Sequence, residues 1–373
     1  MLARYLTLVA FAAVPQACAP VAPTKSPATQ PAAGQARHEA AGKRVPAPLH
    51  DPRERHLTEI RQLTFSGENA EGYFDATGKK LVFQARKGDT GYDCDQIFEF
   101  DLESGKRQRI STGKGRTTCA YYHAGNRRIL YASTHLAGAG CPPEPSRAHG
   151  YVWPLYKSFD IFSVSREDPK DLIRLTDTPG YDAEATVCPA NGRIIFTSVR
   201  DGDIELYSMN DQGKNVHRLT HRLGYDGGAF YSNDGKQIVW RAMYPETDKA
   251  KADYKELLSR GLVRPTTLEL WVAKADGSDA KQLTHNGRAN FAPYFFPDAK
   301  RVIWAGNLDP EKPRDFHLYA IRTDGTGQER ITFSSRFNSF AMFSPDGKYL
   351  VFASNRANKK VGDTNLFLAK WVD

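Results

Sequence analysis

The segment Phe343-Ser344-Pro345-Asp346-Gly347-Lys348, which continues as Tyr349-Leu350-Val351-Phe352-Ala353-Ser354-Asn355-Arg356, is the clearest copy of a repeated element. A strand that ends in an aromatic residue leads into a Ser-Pro-Asp-Gly-Lys turn, and a second apolar strand follows the turn. Weaker copies of the turn occur at residues 231–236 and 296–300. A hairpin that recurs along the chain indicates an all-β repeat protein.

A second, shorter element recurs six times and sets the spacing of the repeat. It reads as a basic or polar residue, then Leu or Ile, then Thr or Ser, and its copies are Arg61–Thr64, Arg109–Thr112, Arg174–Thr176, Arg218–Thr220, Gln282–Thr284 and Arg330–Thr332. Three intervals between successive Leu or Ile positions are 44, 47 and 48 residues, and the other two are 64 and 65. A propeller blade of four strands takes roughly 40–50 residues. The sequence therefore predicts a six-bladed β-propeller in which two blades carry insertions.

The ends of the repeat region predict how the ring closes. The last blade has three expected strands, near residues 339–343, 349–353 and 365–371. A further strand is available at residues 57–64, ahead of the first full blade. We expect this N-terminal strand to complete the last blade, because two unpaired strand edges are then covered at once. The propeller is expected to span residues 56–373.

The N-terminal region is expected to direct export. A positive residue precedes the ten-residue apolar run Tyr5–Val14, which is too short to cross a bilayer and predicts a signal peptide at residues 1–18. The small residue before Cys18 resembles a bacterial lipoprotein site, although the two residues before it depart from that pattern, and cleavage without lipidation is the alternative. Residues 19–55 are rich in Pro and Ala and predict a disordered tether. The expected location is the periplasm or the outer membrane and cell surface, with a lipid on Cys18 as the membrane attachment.

Charge argues against a nucleic-acid partner. The formal net charge is +8, but Lys and Arg are spread along the chain without a basic run. Nucleic-acid binding requires a clustered basic stripe. We therefore expect no nucleic-acid partner. Separately, the protein is expected to be a monomer whose partner is a protein or peptide of the bacterial cell envelope.

The cysteines predict one disulfide without specifying it. Cys94, Cys119 and Cys141 fall at loop or strand-start positions that should share one face of the ring. An exported protein can keep a disulfide, so one pair among these three is expected, and the pairing stays open. Cys188 occupies the position of Ser344 in the repeat and is expected to be a packed free thiol.

Two insertions are predicted to lie on the face of the ring that carries the binding site. Residues 136–158 and 243–267 both fall between the second and third strands of their blades, so both should project over the same face. The first ends in aromatic residues that include Tyr151 and Trp153. The second contains a predicted helix at 247–260, whose apolar stripe is expected to pack on the ring or on the other insertion.

A column of polar residues begins the first strand of each blade. Aligning the blades gives Asn69, Arg116 or Thr117, Asp182, Asp226, Asn290 and Asn338. Glu71 and Glu184 add negative charge two positions further along their strands. Such residues either bond to the backbone of their own loops or form a ring that contacts a ligand or cation.

A second set of polar residues lies at the end of the second strand of each blade. Its members are Arg86, His135, Arg200, Arg241, Asn307 and Arg356. Guanidinium groups around one mouth can bind a carboxylate, a phosphate or an acidic peptide through bidentate hydrogen bonds. The alternative is that they pair with nearby acidic residues and brace adjacent blades.

Motifs of enzymes are mostly missing from the sequence. There is no Gly-x-Ser-x-Gly, His-Glu-x-x-His, phosphate-binding Gly loop or Cys-x-x-Cys. His135, Cys141 and His149 are irregularly spaced for a metal site, and no metal or cofactor is predicted. We expect a non-catalytic protein that binds a peptide or protein segment on the face that carries the insertions. The alternative is a carbohydrate lyase or hydrolase that uses carboxylates and His135 at the same channel mouth.

The Leu-Thr element, the Ser-Pro-Asp-Gly-Lys turn and the following Phe-Ala-Ser-Asn-Arg resemble the WD-like repeat of the TolB propeller family. The resemblance covers about residues 57–373. It implies a six-bladed ring, and it implies protein or peptide binding, because TolB is a periplasmic partner of a peptidoglycan-associated lipoprotein and binds peptides at its channel. TolB also has an N-terminal α/β domain. At that place this sequence has the predicted signal peptide and tether, and it resembles a subgroup of exported bacterial proteins without that domain.

Overall fold

The computed structural model describes residues 43–44 and 50–373, and these form a six-bladed β-propeller, as predicted. The strands before the first blade are β1 (Lys43–Arg44) and β2 (Leu57–Gln62). Blade 1 has β3 (Glu68–Phe74), β4 (Lys80–Arg86), β5 (Gln96–Asp101) and β6 (Arg107–Arg109); blade 2 has β7 (Thr117–His123), β8 (Arg128–Ser133), β10 (Asp160–Ser165) and β11 (Leu172–Arg174), with β9 (Trp153–Pro154) in its insertion. Blade 3 has β12 (Asp182–Val187), β13 (Ile194–Ser198), β14 (Glu205–Met209) and β15 (His217–Arg218).

The second half of the ring repeats this order. Blade 4 has β16 (Tyr225–Tyr231), β17 (Gln237–Met243), β19 (Glu269–Lys274) and β20 (Lys281–Gln282), with α1 (Asp248–Ser259) and β18 (Leu262–Val263) in its insertion; blade 5 has β21 (Asn290–Phe295), β22 (Arg301–Gly306), β23 (His317–Arg322) and β24 (Glu329–Arg330); blade 6 has β25 (Asn338–Phe343), β26 (Tyr349–Ser354) and β27 (Asn365–Trp371). Short 3₁₀ turns lie at Gly88–Thr90 and Arg147–His149. Within the described residues, none of the helices is long and apolar enough to cross a membrane.

The N-terminal strand closes the ring, as expected. Strand β2 pairs antiparallel with β27 and is the fourth strand of blade 6, and β1 pairs with its outer edge. Contacts with blade 6 extend to a residue ahead of the predicted boundary at residue 56. Glu54 is fully buried and accepts a hydrogen bond from Arg356 of blade 6. The predicted signal peptide, Cys18 and most of the predicted tether lie outside the described residues.

The six-fold Leu-Thr element has the same role in every blade. Its Leu or Ile is buried, and its Thr or Ser hydroxyl accepts a hydrogen bond from a backbone N–H at the start of the third strand. These bonds run from Leu366 to Thr64, Ile97 to Ser111, Ile161 to Thr176, Leu206 to Thr220, Leu270 to Thr284 and Leu318 to Thr332, all at 2.8–3.0 Å. The hydroxyl therefore continues the ladder where the chain leaves one blade for the next.

The Ser-Pro-Asp-Gly-Lys turn is held by its own side chains. The Ser344 hydroxyl donates to Asp346 at 2.6 Å, and the same Asp346 carboxylate accepts from the Lys348 backbone N–H. Gly347 has φ 70°, the left-handed region in which an L side chain is strained. This explains why the turn sequence is the most recognisable part of the repeat.

The two insertions meet over one face of the ring. Strand β9 pairs with β18, with Trp153 opposite Val263. Leu257 of α1 is buried in a small cluster with Val152 and Leu262, while Tyr254 packs against the ring. The helix therefore packs both on the ring and on the other insertion, so both of the expected contacts are present.

One of the three open disulfide pairings is present. Cys94, between β4 and β5, is bonded to Cys141 of the first insertion. The disulfide ties the insertion to blade 1. In the described part of the chain, Cys119 and Cys188 are free thiols, and Cys188 is buried, as predicted.

Candidate binding site in the propeller channel

A bulge interrupts the inner strand of every blade at an equivalent position. In each case one residue has a positive φ, between 46° and 61°, and strand pairing shifts register around it. The six bulge residues are Glu71, Cys119, Glu184, Gly228, Ala292 and Phe340. A bulge redirects a side chain out of the regular alternation of a strand. Here all six residues line one pocket in the central channel.

This channel pocket is bounded by residues from every blade. The residues that line it are Glu71, Tyr73, Cys119, Glu184, Ala185, Thr186, Gly228, Phe230, Arg241, Ala292 and Phe340. The polar members come from blades 1 to 4, and those from blades 5 and 6 are apolar. The channel pocket is therefore polar on one side and apolar on the other.

Glu184 anchors the polar side through several hydrogen bonds. Its carboxylate accepts from the Arg241 guanidinium, from the Thr197 hydroxyl at 2.8 Å and from the Gly228 backbone N–H at 2.9 Å. Arg241 also donates to the Tyr225 hydroxyl at 2.8 Å. Glu184 and Arg241 thus neutralise each other within the channel pocket.

Adjacent glycines make room for this ion pair. A Cβ atom on Gly228 would lie 2.0 Å from an Arg241 nitrogen, and one on Gly227 would lie 2.7 Å from a Glu184 oxygen. Gly228 also has φ 61°, so a side chain there would be strained as well as obstructed. The Gly-Gly pair in β16 is a sequence signal for the site that the sequence analysis missed.

Glu71 is the charged group of the channel pocket that lacks an ion-pair partner there. Its Oε2 is buried without a hydrogen-bond partner among the described residues. Burial, together with the nearby charges of Glu184 and Asp95, raises the pKa of Glu71 to about 7, against the opposing effects of Cys119 and Arg241. Glu71 therefore changes charge near neutral pH.

The Cys119 thiol lies beside Glu71. Burial raises its pKa well above the ordinary value, and the neighbouring Glu71 and Glu184 charges act in the same direction. The sulfur contacts the Thr118 hydroxyl at 3.1 Å, and the Cys119 backbone N–H donates to Gln84. The thiol is thus a neutral lining group of the channel pocket and a poor nucleophile.

Aromatic rings close the channel at the inner end of the pocket. Tyr73 of blade 1 and Phe230 of blade 4 meet with ring centroids 5.6 Å apart, and Tyr121 and Tyr294 pack against them. Blades 1 and 4 lie on opposite sides of the ring, so this contact spans the channel axis. The rings therefore form a floor for the channel pocket.

The first insertion lies over the polar side of the channel. The Trp153 ring lies 5.4 Å from the Arg241 guanidinium carbon and packs against Tyr225 and Phe291. Its Nε1 donates to the Tyr151 hydroxyl at 3.1 Å, and Tyr151 is 67% exposed. Two predicted site residues, Tyr151 and Trp153, thus lie beside the channel pocket, while Glu71, Glu184 and Arg241 line it.

The predicted polar column joins the blades and is not exposed in the channel. Its side chains are at most 1% exposed and are Asn69, Thr117, Asp182, Asp226, Asn290 and Asn338. The backbone N–H of each donates to a carbonyl of the neighbouring blade, at 2.9–3.1 Å. The Asn69 and Asn338 side chains also donate to carbonyls of their own loops, at Ser66 and Ser334, as in the local-bonding interpretation. The Asp226 side chain instead accepts from Trp240 and Tyr244. The channel-facing residue is the one two positions further on, where Glu71 and Glu184 stand.

Arg116 and His135 lie outside the channel pocket. Arg116, beside Thr117, pairs with Glu144 of the first insertion at 2.5 Å. The His135 ring bonds to Ser133 at 2.9 Å and packs on Phe162. Burial lowers the pKa of His135, and Lys114 adds to that effect.

The alignment of the strand-ending set needs a correction. Strand pairing places His135, Arg200 and Arg356 in equivalent positions, but Arg241 lies three residues earlier. Arg86 and Asn307 each lie one residue earlier. The misalignment arises because the insertion after β17 hides where that strand ends. Arg241 consequently reaches into the channel pocket, where the others do not.

The arginines of this set are paired with the protein's own carboxylates. The pairs are Arg86 with Glu68, Arg200 with Asp182, Arg241 with Glu184 and Arg356 with Glu54. The Arg241–Glu184 pair joins blades 4 and 3, which fits the bracing interpretation. The Arg86–Glu68 and Arg200–Asp182 pairs each lie within a single blade. Among the described residues, no group of three or more His, Cys, Asp and Glu side chains has the arrangement of a metal site.

Comparison of the sequence with known proteins gives a short and distant match. No family model matches the sequence. An uncharacterized protein of Agrobacterium fabrum is 22% identical over 116 residues, which are 31% of this chain and about a third (33%) of that relative's length.

Solved structures give broader matches. A putative TolB from Agrobacterium tumefaciens aligns with a TM-score of 0.54 and 16% identity over 82% of this chain and 91% of its own. TolB from Acinetobacter baumannii aligns at 0.53 and 14% over 82% of this chain and 64% of its own. A gluconolactonase from Xanthomonas campestris aligns at 0.57 and 10% over 90% and 99%. The closed ring and these neighbours show that the chain has the six-bladed β-propeller fold that the TolB structures also have.

Proposed function

We propose that the chain is a binding protein that holds a peptide or protein segment at the channel mouth beside the two insertions. The observation that carries the proposal is Tyr151, an aromatic side chain that is 67% exposed yet fixed by a hydrogen bond from Trp153. Rigid aromatic residues beside a pocket are frequent energetic centres of protein interfaces. The β9–β18 pairing and the Cys94–Cys141 disulfide hold this surface in place before binding.

The channel pocket supports the same proposal. It combines apolar walls with a few convergent polar groups, the usual composition of a ligand site. In this proposal a side chain of the partner enters the channel pocket while the flanking segment rests on Tyr151 and Trp153. TolB proteins share the fold, which agrees with protein binding, whereas the gluconolactonase shows that similar rings also support catalysis.

Site-specific cross-linking tests the proposed surface. A photoreactive phenylalanine analogue at position 151 is expected to cross-link a protein partner in cells, whereas the same analogue at Ile173, an exposed residue on outer strand β11, should not. With the identified partner purified, Tyr151→Ala is expected to weaken binding by about 10- to 100-fold, and Ile173→Ala to leave it unchanged. Equal adducts at both positions, or unchanged affinity of the Tyr151 variant, would refute the proposal.

A catalytic role has one observation in its favour. Glu71 and Glu184 line the same pocket, and Glu184 is ion-paired with Arg241 whereas Glu71 is not. Two carboxyl groups in different environments are the usual acid–base arrangement of glycoside cleavage. Polysaccharides incubated with the protein would reveal this role by the release of new reducing or unsaturated ends. Turnover that disappears in both Glu71→Gln and Glu184→Gln would replace the binding proposal.

We also propose export to the periplasm or cell surface, with a lipid on Cys18. The Cys94–Cys141 disulfide supports an oxidising compartment, and the N-terminal pattern supports a lipoprotein. Labelled palmitate is expected to be incorporated by the wild-type chain and to be absent from Cys18→Ala. Incorporation that persists in the variant would contradict the anchor at this residue.

A further inference from the structure

We propose that the channel pocket binds a primary ammonium group on an aliphatic arm, such as a Lys side chain of the bound segment, with Glu71 as its counter-ion. The inference rests on the proposed function only in treating the channel as the place where a partner is received. It assigns the charge and shape of the group that enters.

The charges that line the channel pocket determine the sign of the ligand. Three of its lining residues are ionisable to full charges near neutral pH, namely Glu71, Glu184 and Arg241. Glu184 and Arg241 are paired with each other. The remaining charge is the Glu71 carboxylate. A cation therefore complements the pocket, whereas the carboxylate ligand considered from the sequence would meet Glu71 with its arginine already engaged.

The hydrogen-bonding state of Glu71 points to a donor. Its Oε2 is enclosed and has no hydrogen-bond partner in the part of the chain that the structure describes, and the Cys119 thiol beside Glu71 is only a weak donor. A buried carboxylate oxygen without a donor is costly, and a charge-assisted bond to an ammonium group offsets that cost. Glu184, by contrast, already accepts from Arg241, Thr197 and Gly228. Among the residues that line the channel pocket, the carboxylate oxygen without a hydrogen-bond partner is therefore on blade 1.

The walls suit an alkylammonium group more than a hydrated metal ion. Tyr73, Phe230 and Phe340 line the channel pocket next to Glu71, and Tyr73 and Phe230 meet to form its floor. Aromatic faces attract a desolvated cation and pack against the methylene groups that carry it. A pocket with one carboxylate that is not ion-paired and several rings therefore matches the end of a Lys side chain in charge and in polarity.

The affinity should depend on pH with a definite sign. The charged or titratable groups around Glu71 are Cys119, Glu184, Arg241, Asp95 and Tyr73. Their combined effect and burial place the pKa of Glu71 at about 7, while an alkylammonium group stays charged to about pH 10. Ammonium binding should accordingly strengthen as the pH rises from about 6 to 8, and binding below pH 7 should release a proton.

Ligand-observed NMR and calorimetry test the inference with the full chain. The probes are n-butylammonium, its uncharged analogue n-butanol, and two peptides. The first peptide, acetyl-Gly-Lys-Gly-amide, presents a Lys side chain, and the second, Gly-Gly-Gly-amide, presents a chain terminus. We expect n-butylammonium and the Lys peptide to bind at pH 8 and n-butanol to bind at least about 10-fold more weakly. Binding of Gly-Gly-Gly-amide alone among the peptides would overturn the Lys assignment.

Two variants localise the effect. Glu71→Gln is expected to weaken n-butylammonium binding by about 10- to 100-fold and to abolish its pH dependence. Glu103→Gln, an exposed carboxylate on the β5–β6 turn, should change neither. Equal binding of n-butanol and n-butylammonium, or full binding by Glu71→Gln, would overturn the inference. A partner cross-linked at position 151 would still support the proposed function in that case, and ammonium binding without such a partner would contradict only the proposed function.

Discussion

A chain that lacks residues 50–64 is expected to lose the folded ring. Strand β2 supplies the fourth strand of blade 6, and its neighbourhood buries Leu57, Ile60 and Leu63 at 0–4% exposure. Burying three such side chains stabilises a fold by roughly 5–9 kcal/mol, which is comparable with the total stability of a typical domain. Thermal unfolding followed by near-ultraviolet circular dichroism should therefore show no cooperative transition.

A peptide supplied in trans provides the control for this truncation. A synthetic peptide of residues 50–64 is expected to restore the transition, because it can pair with the exposed edge of β27. The same peptide with Leu57→Asp should fail, since that position is fully buried. A truncated chain with an unchanged melting temperature would show that the ring does not need its N-terminal strand.

Glu54→Ala is expected to cost about 3–5 kcal/mol of unfolding free energy. The Glu54 carboxylate bonds to both terminal nitrogens of Arg356 at 3.0 and 3.1 Å, and both side chains are 0% exposed. Glu54 also accepts from the backbone N–H groups of Phe333 and Ser334. Its removal leaves the Arg356 charge buried without a counter-ion.

Urea unfolding with two comparison variants checks this expectation. Glu59→Ala removes an exposed ion pair to Lys370 from strand β2, which follows Glu54, and it should cost less than about 1 kcal/mol. Adding Arg356→Met to Glu54→Ala should recover part of the loss, because the unpaired charge is then gone. The account is contradicted if Glu54→Ala costs no more than Glu59→Ala.

The fold was predictable because its signals repeat. The Thr or Ser of each Leu-Thr element accepts the same hydrogen bond from the start of the third strand. Six copies at blade spacing are therefore six independent observations of one architecture. The turn before Tyr349 is specified by local hydrogen bonds, which sequence displays directly. The insertions were also visible, since they lengthen two intervals of an otherwise regular repeat.

The boundary of the ring was less accessible to sequence. Glu54 lies in a Pro- and Ala-rich region of tether-like composition, and the Arg356 with which it pairs is 302 positions away. Similarly, three cysteines permitted several disulfides until the fold brought Cys94 and Cys141 together. Contacts of this kind depend on closure of the ring and leave no local pattern.

The channel pocket was predicted only in part. Glu71 and Glu184 were found by counting two positions from the polar column, because that offset is constant in all blades. The bulge itself was missed, since five of its six residues are not glycine and no residue type marks it. Arg241 was found for the wrong reason, because its place in the strand was misaligned by three residues.

A photoreactive phenylalanine analogue at position 340 gives the most direct test of the central claim that a partner is received in the channel pocket. Phe340 lines that pocket, while Ile173 lies on outer strand β11 and serves as the reference position. In the purified complex with the partner identified through position 151, the analogue at position 340 should form an adduct with that partner, and the analogue at position 173 should not. No adduct from position 340 in the saturated complex would place the partner elsewhere and contradict the account.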